Sequence, residues 1–161
     1  VYRTQVFSVI WDYYGQDTAR LEQIAGELPE VKTTLVQFYA GKGRAEDSLR
    51  IWNTLSDEEK EAASPFARVV AQSLYEKKFF RSAIGFVSSL GIEPKAKPES
   101  VQNGGFEDPI RFSDYIYFGW KIAPNEKMEI NLDAAQKSEG ARSLRVTFKG
   151  YNDPHLNNIY Q

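Results

Sequence analysis

Near residue 95 the hydrophobic residues of this chain change their spacing, and that change limits the fold more than any other feature. Before it, apolar side chains recur every three or four residues, as on one face of an α-helix. After it they alternate with polar ones, as on a half-buried strand. Two rhythms in separate blocks predict an α+β chain in two segregated parts. The expected layout is a helical array over 1–92, a linker over 93–102 and a β-rich part over 103–161.

The helical block is punctuated by end signals. A first run from Tyr2 to Tyr14 places Val6, Ile10 and Tyr13/Tyr14 on one stripe, and Gly15 closes it. Asp17 is placed to cap a second run carrying Leu21, Ile24 and Ala25, and Pro29 suits the first turn of a third with Val31, Leu35, Phe38 and Tyr39. Gly41-Lys42-Gly43 breaks the chain before a fourth run, Ala45 to Leu55. Ser56 with Glu59 has the spacing of a capping box, and Ser64-Pro65 reads as another cap followed by a first-turn proline. A last run, Phe80 to Leu90, stops at Gly91. About seven helices are predicted. Pro94, Pro98 and sparse apolar groups then mark the linker. Beyond it Met128, Ile130 and Leu132, and then Leu144, Val146 and Phe148, alternate with polar residues on either side of a polar turn from Gln136 to Gly140.

Composition removes several function classes. With no cysteine and a single histidine, His155, the chain lacks thiolate chemistry, disulfides and a transition-metal ligand set. A formal net charge of −2 gives no electrostatic reason to expect a nucleic-acid partner. No run is long and apolar enough to span a membrane. Gly41-Lys42-Gly43-Arg44 lacks the frame of a phosphate-binding loop and is expected to be a turn. The acids from Asp57 to Glu61 read as a solvated helix start, and no facing carboxylate pair suggests a glycosidase. The chain begins at Val1 without a signal-peptide pattern, so its N-terminus reads as an internal point of a longer polypeptide.

In the helical block Leu35, Val36, Tyr39, Gly43, Ser48, Trp52 and Leu55 fall at one set of positions. A second register fits Ala67, Val70, Ala71, Leu74, Phe80, Ala83, Val87 and Leu90. Tyr39 to Leu74 is a step of 35. This resembles the tetratricopeptide repeat, an αα-hairpin unit with a period of about 34 residues. It departs from that pattern at Val36, where a small residue is usual, and in lacking a closing proline after Leu55. The resemblance implies an α-α superhelix that binds protein partners on a concave face.

From Asn103 the chain carries NGGFE, then FGWKI (Phe118 to Ile122), MEINLD (Met128 to Asp133), EGARSLRVTFKG (Glu139 to Gly150) and NNIYQ (Asn157 to Gln161). This order resembles the opening of the galactose-binding-like β-sandwiches of carbohydrate-binding modules, in which an NGGFE-type strand comes first. The resemblance implies a partial antiparallel jelly roll, with sheet edges able to pair with another chain. It also implies a glycan platform drawn from Trp120, Tyr151, Tyr117 and Tyr115, and a structural calcium to which Glu107 contributes. Trp120 fits the core of a sandwich as well, and Glu107 fits a surface turn.

The expected function is a non-catalytic protein-interaction scaffold with an appended glycan-binding-like sandwich, in a larger exported or cell-envelope protein. Two alternatives stand beside it: a carbohydrate-binding accessory region of a polysaccharide-active enzyme, or a structural subunit of an extracellular oligomer or filament.

Overall fold

The computed structural model describes residues 2–110, 117–122, 126–150 and 159–161. The chain is α+β: helices fill the first part and two small antiparallel sheets follow. It divides into two compact units, Val1–Phe86 and Val87–Gln161.

The helical unit holds α1 (Arg3–Tyr13), α2 (Thr18–Ala25), α3 (Pro29–Gly41), α4 (Ala45–Asn53), α5 (Asp57–Ala62) and α6 (Ser64–Glu76). The next helix, α7 (Phe80–Ser89), carries the chain past the division. Most of the expected end signals operate. Asp17 accepts the Arg20 N–H at 3.1 Å, and Pro29 opens α3. Ser56 and Glu59 form a complete capping box: Ser56 Oγ accepts from Glu59 N at 3.2 Å, and Glu59 Oε2 accepts from Ser56 N at 2.7 Å. Ser64 differs from its expected role. It is the first residue of α6, the flanking cap position is Ala63, and no side chain caps that end.

Helix α3 is the centre of the unit. Leu35, Val36, Tyr39 and Ala40 are at most 2% exposed, and α3 packs against α1, α4 and α6. The face α1 turns inward is not the one its spacing first suggests. Phe7 and Trp11 are buried edge-on against Phe38, each with ring centroids 5.8 Å away, whereas Val6 and Tyr13 are 51% and 79% exposed. Two apolar stripes compete on α1, and the aromatic one makes the larger, geometrically specific contact.

The hairpins α3–α4 and α6–α7 are closed in the same way. Gly43 donates to Ala40 O and Arg44 to Tyr39 O; 35 residues later Lys78 donates to Tyr75 O and Phe79 to Leu74 O. Both turns place the pivotal residue at positive φ, +76° at Gly43 and +65° at Lys78. This paired bonding satisfies the last carbonyls of each first helix and aims the chain into the second. Ser48, fully buried, donates to Val36 O at 2.8 Å, which lets α4 approach α3 closely without an unsatisfied hydroxyl.

In the second unit β1 (Lys121–Ile122) pairs antiparallel with β4 (Ile159–Tyr160), and β2 (Met128–Asp133) pairs antiparallel with β3 (Ser143–Phe148). The β2–β3 register sets Met128 opposite Phe148, Ile130 opposite Val146 and Leu132 opposite Leu144, one apolar face as the alternation predicts. The other face pairs Glu129 with Thr147 and Asn131 with Arg145, and Arg145 reaches Asp133 at 3.3 Å. No barrel forms among the described residues.

Asn103 to Glu107 is a turn rather than the expected opening strand, with Asn103 at φ +49° and Phe106 at +57°. The segment expected to be a linker is tied in. Ala96 is buried, and the Glu93 carboxylate accepts from the backbone of Tyr117 at 2.5 Å and of Phe118 at 3.1 Å.

Candidate functional site: a groove in the helical unit

The helical unit carries a groove of about 450 Å³ whose walls come from α1, α3, α5 and the start of α6. Pro29, Thr33 and Thr34 of α3 form one side, Ala62, Ala63 and Phe66 the other, and Gln37 lies further along. Both threonine hydroxyls are satisfied inside α3: Thr33 donates to Pro29 O at 2.9 Å and Thr34 to Glu30 O at 2.8 Å. Their methyl groups are what remains to face a neighbour, so a wall with two polar residue types behaves as apolar. Phe66 is 46% exposed, a large ring kept partly in water, and it is the groove's one aromatic side chain.

Charge sits at the groove's edge. Glu30, Glu58 and Glu59 line it together with a single cation, Arg3. Arg3 is held by Glu30 at 3.6 Å and also donates to the Glu30 carbonyl at 3.3 Å. The capping box fixes Glu59, and Glu58 accepts from Ser56 Oγ at 3.0 Å, so local bonds orient the carboxylates of α5.

Within the helical unit, Tyr39, Asp47 and Arg50 have displaced ionisation and belong to a network joining α2, α3 and α4. Arg50 bonds Glu22 Oε1 at 2.6 Å and Asp47 at 3.1 Å, and Tyr39 OH donates to the same Glu22 oxygen at 3.2 Å. Burial, followed by the Glu22 charge, pushes the Tyr39 phenol well above its usual range. Burial also opposes ionisation of Asp47, yet hydrogen bonds from Arg44 and Arg50 outweigh it and hold that carboxyl below the usual range. This network ties three helices together.

Three of the expected glycan and calcium residues, Tyr117, Trp120 and Glu107, fall within the described residues. Tyr115 and Tyr151 lie outside the described residues, as does His155. Tyr117 is buried at 5% exposure, so its ring presents no open platform. Trp120 is half-buried, stacked on Phe106 with ring centroids 5.1 Å apart, and its indole N–H donates to Asn103 O at 3.1 Å. It lines a cavity of about 290 Å³ together with Ile92, Lys95, Asp108 and Pro109. Glu107 is occupied in another way: its Oε1 accepts from Ala141 N at 2.8 Å, pinning the turn before β3. At Gly140 φ is +70°, which favours glycine, and a methyl there would stand 2.0 Å from that oxygen and displace the carboxylate. Among the described residues no three His, Cys, Asp or Glu side chains gather as a metal would require.

Sequence reasoning missed the groove, since Phe66, Thr33 and Thr34 carry no motif. The available signal was Phe66 itself, an aromatic outside the buried stripe of Ala67, Val70, Ala71 and Leu74.

By its fold the chain is an α+β protein, with helices in its first part and two small antiparallel sheets after them among the described residues. No protein-family profile, curated protein or solved structure matches it.

Proposed function

We propose that this chain is a non-catalytic protein-interaction scaffold whose helical unit docks an extended segment of a partner in the groove between α1, α3, α5 and α6. The observation that carries this reading is the groove itself: apolar walls, an aromatic left partly exposed and a charged rim on a rigid helical frame. Interfaces combine an apolar centre with a polar edge in this way. The shared closure of α3–α4 and α6–α7, repeated at a step of 35, supports reading the helical unit as a tetratricopeptide-like array within a superhelix.

Peptides displayed on phage and selected on the whole chain test the docking. Enriched peptides are expected to lose binding to Phe66→Ala and to Thr34→Trp, which fills the groove, while both variants keep the parent's circular dichroism and melting. Peptides that bind the variants as well as the parent would place docking elsewhere.

A second reading, a carbohydrate-contacting role for the strand unit as an opening portion of a jelly roll, is favoured by Trp120. Its ring is fixed by Phe106 and Asn103 at the edge of a cavity that also offers Lys95 and Asp108, paired at 2.6 Å. Glycan-array binding that disappears in Trp120→Ala supports it, and an array with no signal for the parent chain counts against it.

A further inference from the structure

We infer that the groove of the helical unit selects a basic partner segment: a large apolar residue seated against Phe66 and flanked by lysine or arginine. The inference rests on the docking reading above and adds to it the sign of the partner's charge. Two features of the groove differ in kind. Its interior is apolar, because the Thr33 and Thr34 hydroxyls bond carbonyls of their own helix and Ala62, Ala63 and Phe66 face them across the gap. An apolar side chain is therefore the group that gains by leaving water there.

The rim supplies the discrimination. Three carboxylates, Glu30, Glu58 and Glu59, stand around the opening against the single guanidinium of Arg3, and that cation is already engaged by Glu30. Glu58 and Glu59 are held by bonds to Ser56, so they present charge without first losing side-chain freedom. Both acids belong to the first turn of α5. An acidic segment would bring like charges together over an apolar site and lose affinity. A basic one meets the uncompensated opposite charge of Glu58 and Glu59 on α5, while Glu30 of α3 is paired with Arg3.

The test is fluorescence polarisation on the whole chain with two labelled short-peptide pools. Both pools have Phe or Leu at the centre, one with lysine at the flanking positions and the other with glutamate. The lysine pool is expected to bind at least about tenfold more tightly, and to weaken several-fold as ionic strength rises from about 0.05 to 0.5 M. Glu58→Lys, which leaves the Ser56–Glu59 capping box in place, should abolish that preference, and Glu58→Gln should reduce it. Phe66→Ala should weaken both pools. Equal binding of the two pools, or tighter binding of the glutamate pool, with loss in Phe66→Ala, overturns the charge selection and leaves docking intact. Absence of binding by either pool, or binding indifferent to Phe66→Ala, overturns the docking reading together with it.

Discussion

The two units hold their chains together by different means. In the helical unit each helix satisfies its own backbone and offers a stripe for burial, so Leu21, Val36, Tyr39, Ala71 and Leu74 are completely enclosed. In the strand unit only Val87, Ala96 and Tyr117 are buried apolar side chains among the described residues, and Phe148 is 60% exposed. That unit is fastened instead by side chains reaching distant backbone. Glu93 holds Tyr117 and Phe118, Glu107 holds Ala141, and the Gln161 amide bonds both backbone groups of Gln102 at 3.0 and 2.8 Å. The lesson is about periodicity. A helix pair buries its stripe on the next helix in the chain, whereas one face of a two-stranded ribbon needs a further layer to cover it.

The largest expected difference comes from the same substitution in both units. Leu74→Ala, at a fully enclosed site, should cost about 2–5 kcal/mol and release the amides of α3 and α6 to hydrogen exchange. Leu144→Ala, half-exposed on β3, should cost about 1 kcal/mol. Equal costs would erase the contrast. Next in size is Glu93→Ala, which removes a charged acceptor from two backbone N–H groups and should cost about 1.5–3 kcal/mol, confined to the strand unit. Glu93→Gln keeps an acceptor and should recover part of it; a loss spread over α1 to α6 would argue against local fastening. The smallest is a gain. Lys78 occupies the left-handed conformation that glycine fills at Gly43, so Lys78→Gly should raise the helical unit's stability by about 0.5–1 kcal/mol, measured as a shift in its denaturation midpoint.

The parts of the fold legible in the sequence were those set by neighbours in the chain. Asp17, Pro29 and the Ser56–Glu59 pair act within four residues, and the β2–β3 register follows from alternation on both strands. What escaped depends on distant partners. Nothing local distinguishes the Val6 stripe from Phe7 and Trp11; the choice is made by Phe38, on α3. Pro94 and Pro98 make 93–102 look like a free connector, but Glu93 finds its partners 24 and 25 residues further on. Tyr117 enters the glycan platform only through the resemblance, and its burial is a property that no single sequence position encodes. The groove was invisible for a related reason. It exists where α3 and the α5–α6 corner face each other, and its apolar character depends on hydroxyls bonded back into α3.

Amide hydrogen exchange on the whole chain, with and without a saturating lysine-flanked peptide, tests the central claim most directly. Docking in the groove should slow exchange in the first turns of α3, α5 and α6 and leave β2 and β3 unchanged. Slowing confined to β2–β3, or no change in α3 and α5 when the peptide is bound, would contradict it.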